Sequence, residues 1–454
     1  MRNLKLNIRA KFSREKRLFN QNEHHFDRIA ASAPLAGGLF RGPGWPCGAQ
    51  FSLSSIPGFS GFVNKELIDA LFSAMISSSA GISDLLFAVG RPPIVEEHGV
   101  LEEFPVETAT GVLDSTQIEQ IAAHLIGDDD RLKNEFATYG SCDCSYALEG
   151  LARFRVNIFK QNGRRAIVMR KLQTDSPTLE QLGLPPVFKE MIKEKNGIIF
   201  VTGATGSGKT TTLAAMLNEL NMTQRIHILT LEDPIEFLHP HKQALFNQRQ
   251  LGKDFPDFAS GLRAALRQAP KAILVGEIRD RATMEIAMTA SETGHIVFTT
   301  MHTINAGQTI NRVLGMFSKD EEQQLRQRLA DTVRYVVSQR LVTKVGGGRL
   351  LVQEIMGSSL RTRETLLYGE GENRTFQEII EAGDTQGWHT FDQSLLKAYK
   401  ADLITDETAL IFCAHKNKMR RDIDMVKKLR GRTFEEPSGL RMDVESDVKA
   451  WAAA

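Results

Sequence analysis

Residues 203–210 read Gly-Ala-Thr-Gly-Ser-Gly-Lys-Thr, directly after the apolar run Gly197-Ile-Ile-Phe-Val201. A strand running into G-x-x-x-x-G-K-[ST], then into a breaker-free helical stretch (Thr211–Leu220), leaves few architectures open. In such a loop the backbone N–H groups of Gly203, Ala204, Thr205, Gly206, Ser207 and Gly208 can turn inward around a phosphate chain. Lys209 reaches the β- and γ-phosphates, and the Thr210 hydroxyl takes a Mg²⁺ position. The helix opening at Thr211 aims its positive end at the same anion, so the segment predicts a nucleoside triphosphate site.

The rest of the chain must build around that loop. At 454 residues, two or three domains are expected. Hydrophobic residues make up 42% and charged residues 24%, the balance of a soluble globular protein. A net charge of +1 gives no global grip on nucleic acid, and none is expected as a partner. No apolar stretch approaches the roughly 20 residues that span a bilayer. Cys47, Cys142, Cys144 and Cys413 are scattered without zinc spacing and read as reduced thiols of a cytoplasmic protein.

Six segments follow from composition and periodicity. Residues 1–62 are basic at first and then rich in Gly, Pro and Ser, which reads as a disordered extension. A targeting peptide and a natural start near Val63 are alternative readings of it. Residues 63–175 read as a small α+β domain, with helical spacing at Leu67, Leu71, Met75 and Ile76 and strands at Ala152–Phe159 and Ala166–Met169. Residues 176–186 read as a linker. Residues 187–345 alternate strands (Gly197–Thr202, Ile226–Leu231, Ala272–Val275, Ile296–Thr300) with helices, as in a parallel sheet covered on both faces. Residues 346–432 read as a helical region and 433–454 as a loose tail. Basic residues from His415 to Arg432 read as a solvated helix face.

Three of the strands end in chemistry. Ala272-Ile-Leu-Val-Gly-Glu277 places an acid after a buried strand, which is expected beside the P-loop strand. There Glu277 can orient or deprotonate an attacking water. Ile226–Leu231 runs into Glu232, Asp233 and Glu236. His295 and His302 bracket the third strand, and Thr300 is placed to sense the γ-phosphate. Parallel strands gather their C-terminal ends on one edge, where α/β sites form.

These boxes carry a resemblance. Thr230-Leu-Glu-Asp-Pro-Ile-Glu-Phe237 resembles the Asp box of secretion and pilus ATPases, Val275–Asp280 their Walker B, and Thr289–Thr303 their His box. Over roughly residues 65–430 the chain is similar to the type II/IV secretion ATPase superfamily, and within it to the pilus retraction (twitching motility) ATPases, the PilT/PilU family. The resemblance implies an α/β, RecA-like P-loop core, a smaller PAS-like N-terminal domain and a helical C-terminal tail. It implies hydrolysis of ATP to ADP and phosphate with Mg²⁺, with Glu277 as the main acid assisted by Glu232 and His302. Leu151–Asn157 resembles the family's arginine-bearing strand, which implies that Arg153, Arg155 or Arg170 reaches the nucleotide across a subunit interface. Arg263, Arg267 and Arg279 are weaker candidates.

The family's extension and type II secretion members carry a tetracysteine zinc insert in the core domain. No cysteine lies between Cys144 and Cys413, which favours the retraction side. Ser359–Leu367 keeps little of the family's A-I-R-N-L-I-R-E motif, Lys271 stands where an acid is usual, and the His of the stretch near Asp84 is missing. PilT-type and PilU-type roles both remain open. The implied assembly is a homo-hexameric motor at the cytoplasmic face of the inner membrane, peripheral to it, acting on the pilus platform protein and on occasion with a paralogous pilus ATPase. The rivals are an ATPase for extension or type II secretion, and a non-hydrolysing ATP-binding subunit of a mixed motor.

Overall fold

The computed structural model describes residues 65–105, 111–172, 176–372 and 374–430; the expectations for residues 1–62 and 433–454 fall outside them. The secondary structure divides between two sheets, a six-stranded antiparallel one and a seven-stranded, mostly parallel one.

The first sheet has the order β3-β2-β1-β6-β5-β4. Its strands are β1 (Ile82–Ala88), β2 (Ile94–Glu97), β3 (Val100–Glu103), β4 (Ser141–Leu148), β5 (Ala152–Gln161) and β6 (Arg164–Leu172), with helices α1 (Lys65–Ser77), α2 (Ser115–Ile126) and α3 (Asp130–Tyr139). The expected helix at Leu67–Ile76 is α1, which buries Leu67, Leu71, Met75 and Ile76. Strand β5 alternates strictly at its start: Ala152, Phe154, Val156 and Ile158 are buried. That period of two turns Arg153 and Arg155 to the other face. Register then sets Arg155 opposite Arg170, and Arg170 opposite Asp84.

The second sheet has the order β13-β12-β7-β11-β10-β8-β9. It contains β7 (Gly197–Thr202), β8 (His227–Glu232), β9 (Leu245–Gln250), β10 (Ala272–Val275), β11 (Ile296–Met301), β12 (Val333–Thr343) and β13 (Arg349–Gly357). All pairings are parallel except β12 with β13. Apolar runs in β7, β8, β10 and β11 are needed because both faces are covered. Ile198 and Phe200 pack with α6 (Phe258–Ala265), α7 (Arg281–Glu292), α8 (Ala306–Leu314) and α9 (Glu322–Thr332). Ile199 and Val201 pack on the opposite side with α4 (Val187–Met191) and α5 (Lys209–Thr223). Leu179, inside the segment expected to be a linker, is buried in that second layer.

Two expectations change. The helical region set at 346 begins instead after Gly357, because Arg349–Gly357 is β13, hydrogen-bonded along β12. Beyond it come α10 (Leu360–Tyr368), α11 (Phe376–Glu381), α12 (Phe391–Lys400), α13 (Asp406–Phe412) and α14 (Lys416–Leu429). The last three close a small core on Val342 and Val352. The basic stretch from His415 is mostly α14, which buries Met419, Ile423 and Val426 and pairs Lys427 with Asp406. Second, β10 does not lie beside β7: β11 is inserted between them. Periodicity identifies strands but not their order, and the insertion puts the end of β11 between the P-loop and Glu277.

Candidate nucleotide and hydrolysis site

Strand β7 ends at Thr202, and α5 begins at Lys209, two residues before the helical stretch expected from Thr211. Between them Gly203, Gly206 and Gly208 hold φ of 147°, 77° and 92°, a backbone that favours glycine. At Gly203 a Cβ would sit 2.5 Å from the Gln339 carbonyl oxygen and from Ser207 Oγ, so no side chain fits. Asp257, Asp280 and Asn305 side chains cap the N-termini of α6, α7 and α8. The N-terminus of α5 has only Gly208 and no side-chain cap. Its first N–H groups are orphans of the kind an anion satisfies. Ser207 Oγ is buried beside them without a partner. These features fit a phosphate chain.

Lys209 is buried, and its Nζ donates to the Gly203 and Ala204 carbonyls, both at 3.0 Å. Burial lowers its pKa, opposed by the charges of Glu277 and Glu236. Glu277 follows β10 and is held from two sides. Arg279 lies 2.7 Å from Oε2, and His302 Nε2 lies 3.4 Å from Oε1. Partial burial pushes the Glu277 carboxyl up, but Arg279, His302 and Lys209 together bring it below the usual carboxylate range. An ionised carboxylate in this position can accept a proton from water.

Glu232 ends β8 and is buried; its Oε1 accepts from Thr230 Oγ1 at 2.6 Å and from Gln248 Nε2 at 3.1 Å. Burial raises its pKa, the two donors oppose that, and Glu236 adds to it. Burial also raises Glu236, against a hydrogen bond from Thr210 and the charges of Arg155 and Lys209. Arg153 is lowered by burial and attracted by Glu232, and its Nη1 is buried without a partner. The antiparallel sheet therefore brings the Arg153 and Arg155 charges near Glu232 and Glu236 of the same chain.

Not every expected residue joins this group. Arg170 Nε binds Asp84 Oδ1 at 2.9 Å, and Asp84 is 4% exposed, so that arginine is committed within its own sheet. His295 stands at the start of β11, about 20 Å of strand from His302. Its Nδ1 lies 2.9 Å from the Ala290 carbonyl, closing the turn after α7. The Thr300 hydroxyl donates to the Gly276 carbonyl at 2.6 Å, stitching β11 to the residue before Glu277. Arg263 and Arg267 are exposed on and just after α6. Glu236, named with Glu232 and Asp233 in the sequence, joins the site through Thr210. Gln248 is not legible there, because it lies in a polar stretch with no periodic signal. Among the described residues no cluster of three or more His, Cys, Asp or Glu could hold a metal.

A P-loop strand, an inserted strand and an acid on the strand beyond define a nucleoside triphosphate hydrolase of RecA-like fold. Residues 146–360 match the family described as Type II/IV secretion system protein. The chain is 40% identical over 333 residues to the type IV pilus retraction ATPase PilT of Pseudomonas aeruginosa, spanning 73% of this chain and 94% of PilT. It is 35% identical over 341 residues to the type IV pilus ATPase PilU of that organism, spanning 75% and 87%. A crystal structure of the pilus retraction motor PilT with bound ADP superposes with a TM-score of 0.70 at 35% identity, covering 78% of this chain and 99% of that one. The chain belongs to the pilus retraction ATPases of the type II/IV secretion family.

Proposed function

We propose that this chain hydrolyses ATP to drive withdrawal of a type IV pilus, as a homo-hexamer docked on the pilus platform at the cytoplasmic face of the inner membrane. The observation that carries the catalytic part is the meeting of Lys209, Glu277 and His302 at one sheet edge, with the Arg153 charge near Glu232. Lys209 and the amides of residues 203–211 hold the phosphates. Glu277 positions and deprotonates the attacking water, with His302 beside it, and Glu232 completes the acidic wall. Arg153 and Arg155 bring positive charge to the transferring phosphoryl group, so hydrolysis depends on where the antiparallel sheet stands. The Thr210 hydroxyl, with Glu236 as its hydrogen-bond partner, would hold Mg²⁺, which supplies charge neutralisation for the phosphates. Among the described residues no helix is long and apolar enough to cross a membrane.

Deleting the gene tests the mechanical part: cells should keep pili and lose twitching. Bald cells would instead mean extension. Helix α10 buries Thr362, Thr365 and Leu366 and carries the altered family motif, so a PilU-type accessory role stands beside the PilT-type one. Restoration of twitching in a strain lacking its main retraction ATPase separates the two.

A further inference from the structure

Glu232 begins a loop, Asp233–His239, that brings Glu236 back to Thr210. The placing of both acids depends on how that loop is held. Strand β9 runs beside β8, with Gln248 opposite Thr230. From there the Gln248 amide reaches both ends of the loop. Its Nε2 donates to Glu232 Oε1 at 3.1 Å and to the Phe237 carbonyl at 2.8 Å. Its Oε1 accepts the His239 N–H at 2.9 Å. Donor and acceptor are both used, so no other side chain of this length replaces it without losing a bond.

The far end of the loop is fixed as well. The His239 ring stacks on Phe246 at 4.4 Å, and its Nδ1 lies 3.1 Å from Ser176 Oγ in the segment joining the two sheets. We propose that Gln248 is a positioning residue for ATP hydrolysis, bracing the Glu232 carboxylate and the loop behind it so that turnover depends on an amide that takes no part in the phosphoryl step. The inference rests on the reading of Glu232 as part of the hydrolytic site.

The test compares full-length wild type with Gln248→Leu, Gln248→Glu, Glu232→Gln and the Gln248→Leu/Glu232→Gln double variant, by phosphate release and by equilibrium binding of ATP. Gln248→Leu should lower kcat by about 10²-fold, the usual cost of a misplaced group, with ATP affinity changed only a few-fold. In the double variant the losses should not add, because Gln248 acts through Glu232. Gln248→Glu keeps the acceptor for His239 and sets a second carboxylate beside Glu232, with Glu236 and Arg153 also facing it. When both acids are ionised they repel and the donor is gone; one shared proton restores it. The activity optimum of Gln248→Glu should therefore move to lower pH, a shift that a merely looser loop would not produce. It also serves as the near-isosteric variant if the leucine form fails to fold. A fully active Glu232→Gln overturns the reading of Glu232 and the brace together. An impaired Glu232→Gln with a fully active Gln248→Leu, or with additive losses, overturns the brace alone.

Discussion

His302 Nε2 lies 3.4 Å from Glu277 Oε1, while Arg279 holds Oε2 at 2.7 Å. The carboxylate is thus gripped between two cationic or donor groups and is not a free acid after a strand. Glu277→Gln keeps the shape and loses the base. Phosphate release should fall by about 10²–10⁴-fold, the range general-base catalysis supplies. ATP binding, which rests on Lys209 and the loop amides, should stay within a few-fold. A variant that still turns over at the wild-type rate would move the base elsewhere.

The Arg279 contact has a pH signature. Burial raises the Glu277 carboxyl, and Arg279 does most to pull it back below the ordinary range. The ionised form therefore persists to lower pH than in an unpaired carboxylate. Removing the guanidinium in Arg279→Gln leaves burial less opposed, so the pKa rises. The acid limb of the kcat–pH profile should move to higher pH, with the rate well above that limb less affected. An unmoved limb would show that another group controls it.

Gly203 is the loop position with least room. Its φ is 147°, and a Cβ there would stand 2.5 Å from the Gln339 carbonyl oxygen, a backbone atom that cannot swing aside. Gly203→Ala should cost about 1–3 kcal/mol of strain, read as a lower Tm. It should also weaken ATP binding, because relief requires the loop to leave the phosphate-cradling shape. Gly346→Ala, in the β12–β13 turn with open space around it, controls for the loss of a positive-φ glycine alone.

How far the sequence reaches depends on what each element buries. Strands β7 and β10 are legible to the residue because both faces are covered and every position is apolar or small enough to be buried. Strand β9 is not, since Leu245-Phe-Asn-Gln-Arg-Gln250 stands at the sheet edge with only Phe246 and Gln250 buried. Strands β12 and β13 hide for another reason. Ser338, Gln339 and Gln353 are buried polar residues, and Gln339 Nε2 is spent on Thr212 of α5 at 2.8 Å. A polar residue buried inside a sheet looks, in sequence, like one facing water. The site follows the same logic. Residues within one motif are legible, as Lys209, Thr210 and Glu277 are. Strand order is not, so the insertion of β11 between β7 and β10 needed the structure.

Two arginines of the antiparallel sheet, Arg170 and Arg153, are of different kinds. Arg170 is paired with Asp84, a carboxylate that is almost wholly buried while the arginine is mostly exposed. Arg153 instead carries a buried Nη1 with no partner, facing Glu232. Arg170→Ala leaves a buried acceptor unsatisfied, at about 1–3 kcal/mol, so it should lower Tm and leave kcat for ATP nearly unchanged at a temperature where the variant is folded. Arg153→Ala removes a guanidinium whose buried Nη1 has no hydrogen bond to lose. It should leave Tm close to wild type and lower kcat by roughly 10³-fold, the low end for an arginine brought to a phosphoryl transfer. Asp84→Asn with Arg170→Ala should recover part of the lost stability, because the unpaired charge is gone. Thermal scans and single-turnover phosphate release on the same preparations check both halves. A stable but slow Arg170→Ala beside an active Arg153→Ala would reverse the assignment and place the nucleotide contact one strand further along the sheet.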